Sequence, residues 1–434
     1  MSRFAGLLFR FLAVIVASVV VLGALFSIAY YYELYTPADE EPPPILVLTG
    51  ATVIPGDGKL PLPNATVIVG GERILRIEPE AAIPRDALVL GVEGLFVVPA
   101  LLDAAVYFEA PSQGEIDTMA GIWEWEINRS LPERRRALVG AGVGTVLDLG
   151  SGLNSSLRTR SQLLSGEIAG PRLLASGPIL TAPESSWLHA RYPLRPEKTT
   201  GTIETAAEGG RWVQTLAAKG VDLVSVNYRT GPRMGPDELA RIIQEAHDLG
   251  LRVVVETVSL EDARQAAAAG ADALLRGVTR AGERLDGDLL AMMLEQGTVY
   301  IPTLAAVRTG QDAWSESLET ALANTRLVNQ AGVPVLASSG AGAWDYGYGR
   351  TWQAELSLLL AAGLTPAEVL EAATMGVARL LGVDDRLGTV EENKLADLLV
   401  LRGNPLLDVG AMDRVQIVIR NGVIVVDHLS PLSD

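Results

Sequence analysis

Cysteine is absent from this 434-residue sequence, and histidine occurs only three times. Without cysteine the chain cannot form a disulfide, supply a thiolate nucleophile, ligate zinc through sulfur or carry a lipid on an N-terminal cysteine. The three imidazoles are His189, His247 and His428. Any site that needs a cluster of histidines therefore has very few side chains to draw on.

Positive charge is also in short supply. Lys and Arg number 35 against 52 Asp and Glu, which gives a formal net charge of −17. Such a chain repels the phosphates of nucleic acid, so we expect no nucleic-acid partner. The hydrophobic share of 48% excludes a disordered acidic protein and permits a large packed core. The length permits about two or three domains.

The N-terminus contains one long uncharged run at residues 11–32. As a helix it would be about 33 Å long, enough to cross a bilayer core of roughly 30 Å. Because arginines precede it and acids follow, the positive-inside rule predicts a cytoplasmic N-terminus (1–10), a transmembrane signal anchor (11–32) and an acidic proline-rich linker (33–44). The folded part would then lie on the periplasmic or extracellular side. The alternative is a signal peptide cleaved near Ala29, which would give a secreted protein.

Short β-branched segments punctuated by Gly, Pro and Asn occupy both ends of the folded part. Residues 45–98 show this pattern, and so do residues 381–428, where Asn421-Gly422 is a strong hairpin signal. Neither end can bury a full core alone. We therefore expect them to pair as a composite β-sandwich, followed by a tail at 429–434.

Between these ends, residues 99–380 alternate between strands and helices. Ser259 with Asp262, and Thr365 with Glu368, are typical of helix starts, because a capping oxygen is followed three residues later by an acid. Eight alternating units predict a (β/α)8 TIM barrel, an α/β fold whose functional face lies at the C-terminal ends of the strands. A doubly wound open sheet is the alternative, but no GxGxxG follows an early strand. The predicted strands are FVVPALLDAAV, GTVLDLG, RLLASGPIL, VDLVSVNY, RVVVET, ADALLRGV, TVYIPTL and VPVLASSG.

Several motifs follow one another along this framework. They are LTGATVIPGDG, EGLFVVPALLDAAVYFE, GAGVGTVLDLGS, GTVYIPTL and the closing AGLTPAEVLEAATMGVARLLGVDDRLGTVEENKLADLLVLRGNP. In this order they resemble the amidohydrolase superfamily, in particular its imidazolonepropionase- and prolidase-like branch. The resemblance extends from Thr49 to Val426 and implies a metal-dependent hydrolase fold that acts on carbon–nitrogen bonds.

The resemblance also implies a metal site. Members of this superfamily hold one or two divalent metals, such as zinc, through a His-x-His on strand 1, a carboxylated Lys or a Glu on strand 4, a His on each of strands 5 and 6, and an Asp on strand 8. Such a metal lowers the pKa of a bound water and polarises the scissile carbonyl. Motif matching puts other residues at all six positions: Ala105, Tyr107, Ser225, Glu256, Arg276 and Gly340. We therefore expect no metal cofactor.

Arg276 bears on any replacement metal site. Its guanidinium is permanently charged, so a dication beside it would be strongly disfavoured in a pocket of low dielectric constant. We expect Arg276 to take the place of the lost cation and to pair with Glu256 on the neighbouring strand, because an unpaired buried ion costs several kcal/mol.

Other side chains are secondary candidates. Metal-free catalysis would draw on Glu256, Tyr107, Asp103 and His189. Ser185 and Ser186 lie near His189, but no GxSxG elbow accompanies them. An aromatic rim at the barrel mouth is one interpretation, and packing the other, for Trp187, Trp344, Tyr346 and Tyr348.

The remaining polar residues have plainer interpretations. We expect Asp103 on strand 1 and Asp148 on strand 2 to form hydrogen bonds within the barrel. His247 is predicted to lie at a helix end, and His428 to be solvated near the C-terminus.

Three functions remain open from the sequence. The first is a membrane-anchored pseudoenzyme that binds or scaffolds, as a homo-oligomer or with a metal-bearing amidohydrolase homologue. The second is an active hydrolase of carbon–nitrogen bonds in non-peptide amides or dipeptides, working by residual or metal-free chemistry. The third is a receptor that binds a small ligand in the barrel mouth.

Overall fold

The computed structural model describes most of the chain beyond its N-terminal segment. The described residues are 45–109, 123–183, 199–229, 233–309, 315–342 and 347–429, together with 18 and 21. No helix among them is both long enough and apolar enough to cross a membrane. The predicted cytoplasmic segment, the linker and, apart from those two residues, the anchor lie outside the described residues.

The two strand-rich ends of the chain form one eight-stranded sheet. Its strands are β1 (Ile45–Val53), β2 (Leu62–Gly70), β3 (Arg73–Pro79), β4 (Leu88–Gly91), β5 (Phe96–Pro99), β15 (Leu398–Leu401), β16 (Val415–Arg420) and β17 (Val423–Asp427). The spatial order is β17–β16–β15–β5–β1–β2–β3, and β4 also pairs with β1. β15 runs antiparallel to β5, so the predicted pairing of the two ends is confirmed. Apolar side chains from both ends share one core.

The middle of the chain forms the parallel strands of a barrel. These are β6 (Leu101–Val106), β7 (Val143–Asp148), β8 (Arg172–Ala175), β9 (Ile179–Thr181), β10 (Thr200–Thr202), β11 (Leu223–Asn227), β12 (Arg252–Glu256), β13 (Ala273–Leu275) and β14 (Val299–Ile301). β8 and β9 are two parts of the third barrel strand, the predicted RLLASGPIL, and β10 is a short extra strand that pairs with β9. Residues 334–341 then supply the eighth barrel strand. On one side it pairs with β14, where the N–H of Leu336 donates to Tyr300 O. On the other side it pairs with β6, where the N–H of Gly340 donates to Ala105 O. These bonds close the barrel.

One predicted strand is divided in the structure. FVVPALLDAAV is expected as a single barrel strand, but its first four residues are β5 of the sandwich sheet and only Leu101–Val106 is β6. The change occurs at Ala100, whose N–H donates to Asp397 O, whereas the N–H of Leu101 donates to Gly142 O in the barrel. The apolar run continues across the junction because both sheets bury it.

Helices cover the outside of the barrel. They are α1 (Trp123–Gly140), α2 (Leu153–Leu164), α3 (Ala206–Lys219), α4 (Pro236–Asp248), α5 (Leu260–Ala268), α6 (Gly287–Gln296), α7 (Leu304–Thr309), α8 (Leu318–Gln330), α9 (Arg350–Ala361), α10 (Pro366–Ala372) and α11 (Met375–Leu380), with a short 3-10 helix at Val409–Asp413. The two predicted capping boxes, Ser259 with Asp262 and Thr365 with Glu368, are present at the starts of α5 and α10.

The alternation of side chains along each strand separates two apolar layers. Val224, Val226 and Val255 pack between the strands and the helices, whereas Leu223 and Val254 fill the barrel interior. Because side chains two residues apart share a face, Ser225 and Glu256 continue the interior face toward the C-terminal ends of their strands. The fold therefore directs those side chains into the barrel mouth.

Candidate functional site

Buried charged side chains lie at the C-terminal ends of β11, β12 and β13. Asn227 pairs with Glu256, and Glu256 with Leu275, so these strands end at one level. Arg229 follows β11 by two residues, and Arg276 follows β13 directly. The charges thus gather at the face where barrel enzymes carry their sites.

Four side chains form an ion-pair network, which we call the mouth cluster: Arg229, Glu256, Arg276 and Glu316. Arg276 donates from Nε to Glu316 Oε1 (2.9 Å) and from Nη2 to Glu316 Oε2 (2.5 Å). Arg229 Nη1 lies 3.3 Å from Glu256 Oε1, and its Nη2 lies 3.7 Å from Glu316 Oε2. Arg276 Nε lies 3.9 Å from Glu256 Oε1. Each guanidinium therefore contacts both carboxylates.

The predicted pair of Arg276 with Glu256 is present, but it is the longest contact in the mouth cluster. Arg276 instead binds Glu316 through two parallel hydrogen bonds, the geometry in which a guanidinium and a carboxylate interact most strongly. Glu256 has its nearest cation in Arg229. The sequence expectation is thus corrected: Arg276 has two anionic partners, and Glu316 is the main one.

The mouth cluster is almost completely shielded from solvent. The exposed fraction of its side chains runs from 2% for Glu316 to 10% for Arg276. Burial alone would raise the pKa of Glu316. The charges of Arg276 and Arg229, with hydrogen bonds from Arg276 and Thr279, outweigh burial and hold that pKa below its ordinary value. Glu316 therefore stays ionised, and two cations balance two anions.

Arg276 reaches this position through an unusual backbone conformation. Its φ is +63°, a left-handed value that costs a non-glycine residue roughly 1–2 kcal/mol. Gly277 follows with φ +67° and lies against the ring of Tyr300, whose hydroxyl accepts from the N–H of Val278 at 3.2 Å. Backbone strain of this kind concentrates at functional sites. Here it coincides with the turn that carries Arg276 into the mouth.

A buried carboxyl group closes the barrel wall between β6, which is the first barrel strand, and residues 334–341, which are the eighth. Asp103 Oδ1 accepts from the N–H of Ser339 (2.9 Å) and of Ala105 (3.3 Å), and Asp103 Oδ2 accepts from the Ser339 hydroxyl. Burial raises the pKa of Asp103 to about 7. Ala105 and Gly340, two of the six matched positions, are joined by a backbone hydrogen bond. Asp103 thus forms the hydrogen bonds within the barrel that we expected.

A second buried carboxyl group lies nearby on α9. Glu355 Oε2 accepts from the N–H of Ala305 at 2.6 Å, at the start of α7. Burial raises the pKa of Glu355 to about 8, with a smaller contribution from the charge of Asp103. Glu355 Oε1 has no hydrogen-bond partner among the described residues. The protonated form is therefore favoured well above the usual pH range of a glutamate.

Among the four rim aromatics, Tyr348 lies in the described part of the chain. Its hydroxyl donates to Tyr107 O (2.8 Å), and Arg134 stacks on its ring at 5.2 Å. Tyr107 is itself buried. Tyr348 therefore packs against the end of strand 1. Residues outside the described part are His189, Ser185, Ser186, Trp187, Trp344 and Tyr346.

The other polar candidates form structural contacts. His247 lies in the last turn of α4, where Nε2 is 2.9 Å from Asp272 Oδ2. Asp148 accepts from the N–H of Phe108 at 3.2 Å. His428 is exposed just after β17. Each contact agrees with the plain interpretation of its residue.

Glu109 is a mouth residue that the sequence did not single out. Its carboxylate accepts from the Ser155 hydroxyl (2.8 Å) and from the N–H of Gly152 (3.0 Å). Burial, with the nearby charge of Asp148, raises the pKa of Glu109 to about 7. It follows strand 1 by three residues, so its position alone was a signal that it lies at the mouth.

Comparison with known proteins identifies the family of this chain. The model of the amidohydrolase family matches residues 130–425. The chain belongs to this family. A protein of Mycobacterium tuberculosis without a known function is 26% identical, over 80% of this chain and 89% of its own length. An imidazolonepropionase of Cereibacter sphaeroides is also 26% identical, over 79% of this chain and 90% of that enzyme.

Solved structures agree with the family. A protein of Bifidobacterium longum designated a prolidase has a TM-score of 0.74 and 28% identity, and the match covers 89% of this chain and 95% of that protein. This chain therefore has the amidohydrolase fold, which is an α/β barrel of the TIM type with a β-sandwich. The imidazolonepropionase and prolidase branch named from the motifs is likewise represented among the relatives.

The donor set of this amidohydrolase does not fit the divalent metals that the family resemblance implies. At the matched positions only Glu256 carries an anionic oxygen, and two guanidinium groups lie within 4.0 Å of it. A dication at this point would face two permanent positive charges in a buried setting. Among the residues that the structure describes, no three His, Asp or Glu side chains group in a way that would hold a metal ion.

Proposed function

We propose that this amidohydrolase is a membrane-anchored pseudoenzyme, which uses the barrel to bind or scaffold and does not hydrolyse through a metal. The mouth cluster carries the proposal. Two arginines and two glutamates form buried ion pairs at the barrel mouth. Two of them, Glu256 and Arg276, stand at the positions on strands 5 and 6 where the family resemblance implies imidazoles that bind a cation. A mouth built this way is complete without a metal.

The partners and location belong to the same proposal. The uncharged run at 11–32 would anchor the chain, with residues 1–10 in the cytoplasm and the barrel on the periplasmic or extracellular side. The bound partner would be a second copy or a metal-bearing amidohydrolase homologue, since a retained barrel without a metal site can still supply an assembly surface.

Metal content and turnover of the full chain test this proposal. We expect elemental analysis of the purified protein to find zinc and other transition metals far below one per chain, and no hydrolysis of Xaa-Pro dipeptides or of amide substrates. The same preparation after zinc loading and dialysis should give the same result. One retained zinc per chain, with amidase or dipeptidase activity that a chelator removes, would overturn the proposal.

A metal-free hydrolase of carbon–nitrogen bonds is the second candidate, and Glu109 is the observation that favours it. A carboxyl group with a pKa near 7 can accept and donate a proton near neutral pH. This candidate predicts turnover that survives chelation and falls at least about a hundredfold in Glu109→Gln, the usual contribution of general acid–base catalysis. Glu256→Gln should lower it too if the mouth cluster takes part.

A small-ligand receptor is the third possibility left open by the sequence. It predicts that a ligand raises the midpoint of thermal unfolding without being turned over. A ligand that stabilises the wild type but not Arg229→Ala would locate its site at the barrel mouth.

A further inference from the structure

Exposed apolar side chains surround the point at which the chain enters the sandwich. We call Leu75, Ile83, Leu88 and Val89 the entry patch, and they are 51%, 48%, 45% and 43% exposed. Ile45, the first residue of β1, lies between them. Single exposed apolar residues are ordinary on a protein surface, but a group around one point marks a contact surface.

Strand pairing sets the positions of these side chains. Leu46 is paired with Leu88 on β4, and Ile45 is paired with Gly70 on β2. A Cβ added at Gly70 would lie 2.5 Å from Leu75 Cδ1, so the side chain of Leu75 covers Gly70 beside Ile45. The entry patch thus borders β1 on both sides. At β4 it includes both faces of the sheet edge, because Leu88 pairs with Leu46 of the sandwich core whereas Val89 pairs with Val47 of the outer face.

The sheet beneath the entry patch is apolar on its outer face as well. Val47, Ile68 and Ala81 form a small buried cluster apart from the sandwich core, and Ile45 and Ala87 pack against it. The connection between β3 and β4 covers this cluster and carries Ile83 outward. The cluster is therefore already buried beneath this connection, and the large apolar side chain that the connection leaves exposed is Ile83.

The entry patch lies at the end of β1 away from the barrel. The opposite end is next to the barrel connection, because Val53 pairs with Val97 on β5 and β5 leads directly into β6. A strand of this length spans about 27 Å. The patch is therefore separated from the barrel by the whole length of β1 and adjoins the 44 residues that precede Ile45.

We propose that the entry patch rests on the lipid bilayer, at the boundary between headgroups and acyl chains. The inference rests on the proposed membrane anchor. Residues 33–44 join the anchor to Ile45 and reach at most about 40 Å, so they limit the distance of the patch from the bilayer surface to that length. Apolar side chains beside such a tether gain from burial at the interface, whereas in water they stay exposed.

Site-directed fluorescence tests the contact, and the absence of cysteine gives a clean background. Leu88→Cys and Ile83→Cys are made in the full chain and labelled with an environment-sensitive fluorophore. The protein is reconstituted into vesicles of phosphatidylcholine with a minor fraction of phosphatidylglycerol and doxyl-labelled lipid. Leu60→Cys is the matched control, because Leu60 is 90% exposed in the connection that follows the far end of β1.

We expect the doxyl lipid to quench labels at positions 88 and 83 at least about twofold more than the label at position 60, because only groups within roughly 5–10 Å of the interface are buried there. Equal quenching at all three positions, in protein that floats with the vesicles, would overturn the lipid contact and leave the anchor intact. Protein that does not float would overturn the anchor and the contact together. Weak quenching, together with disulfide crosslinking between unlabelled Leu88→Cys chains treated with a mild oxidant, would show that a second copy covers the patch, which also overturns it.

Discussion

At the scale of single residues, removing the charge of Arg276 would leave the mouth cluster with an excess of negative charge. Its guanidinium binds Glu316 twice and also faces Glu256. In Arg276→Ala, two buried carboxylates would share Arg229 as their cation among the described residues. We expect a loss of about 3–5 kcal/mol in the free energy of unfolding, the usual cost of breaking a buried ion pair from one side. Urea denaturation monitored by circular dichroism measures it.

Arg379→Ala provides the control for this substitution. Arg379 forms an ion pair with Glu371 at 2.9 Å, but its side chain is 55% exposed. An exposed pair contributes less than about 1 kcal/mol because water screens it. Equal losses in the two variants would show that the mouth cluster contributes no more than a surface pair.

Glu355 predicts how stability depends on pH. Burial raises its pKa to about 8, whereas in the unfolded chain it titrates near the ordinary value of 4.5. Between these two values the native state retains a proton that the unfolded state releases, so stability falls as pH rises. Asp103, with a pKa near 7, acts in the same direction. We expect the wild type to be more stable at about pH 5 than at about pH 9.

Glu355→Gln should flatten that dependence, because a neutral amide has no proton to lose. We expect the urea midpoints at the two pH values to lie closer together in this variant than in the wild type. The difference in unfolding free energy between the two pH values should shrink by at least about 1.4 kcal/mol, the equivalent of one pKa unit. Glu295→Gln, on the exposed face of α6, is the matched control and should keep the wild-type slope. An unchanged slope in Glu355→Gln would mean that Glu355 is ionised in the folded protein across this range.

At the scale of elements, the end of β13 depends on a glycine. A Cβ at Gly277 would lie 2.0 Å from Cε2 of the buried Tyr300 ring, and φ is +67°. Gly282 has a similar φ of +81° but open space around it. Gly282→Ala therefore reports backbone strain alone, about 1 kcal/mol, whereas Gly277→Ala adds a steric clash of about 1–3 kcal/mol. Denaturant midpoints of the two variants should differ accordingly, and equal midpoints would contradict the packing of Tyr300.

The same region shows how far sequence reasoning reaches. The segment ADALLRG predicts strand β13, because the apolar run and the glycines on either side of it are local features of the sequence. Glu316 could not be predicted as the partner of Arg276, because it lies 40 residues further along the chain and its approach depends on the path of a connection. Arg229 was missed for a related reason: it follows β11 in an irregular segment whose direction the strand pattern does not determine.

The junction at Ala100 shows a second limit. Hydrophobic patterning identifies a buried strand but not the sheet to which each part of it belongs. FVVPALLDAAV contains two strands because β15, nearly 300 residues later, pairs with its first part. Long-range contacts therefore determine where the strand divides and which residues form the mouth cluster. Local patterning was sufficient to predict the barrel and the capping boxes.

At the scale of the whole molecule, Asp397 joins the sandwich to the barrel. Its Oδ1 accepts from the N–H of Asn421 in the β16–β17 turn (2.7 Å), and Oδ2 accepts from Arg172 Nη2 on β8 (3.2 Å). The main-chain oxygen of Asp397 accepts from Ala100 at the point where β5 passes into β6. The carboxylate of Asp397 thus links the β16–β17 turn of the sandwich to β8 of the barrel, and its main chain holds the junction at Ala100.

Asp397→Ala should weaken this connection. Arg172 would lose its anionic partner. Burial lowers the pKa of the Arg420 guanidinium, and this group would lose the larger of the two electrostatic contributions, those of Asp397 and Glu72, that counteract the shift. We expect a loss of about 3–5 kcal/mol in the free energy of unfolding, as for other buried pairs broken from one side. Asp385→Ala removes a carboxylate that is 74% exposed beside Arg386 and should cost less than about 1 kcal/mol. Thermal unfolding by calorimetry distinguishes them: a second, earlier transition in Asp397→Ala would indicate that the sandwich separates from the barrel, and a loss no larger than that of Asp385→Ala would contradict the linking role.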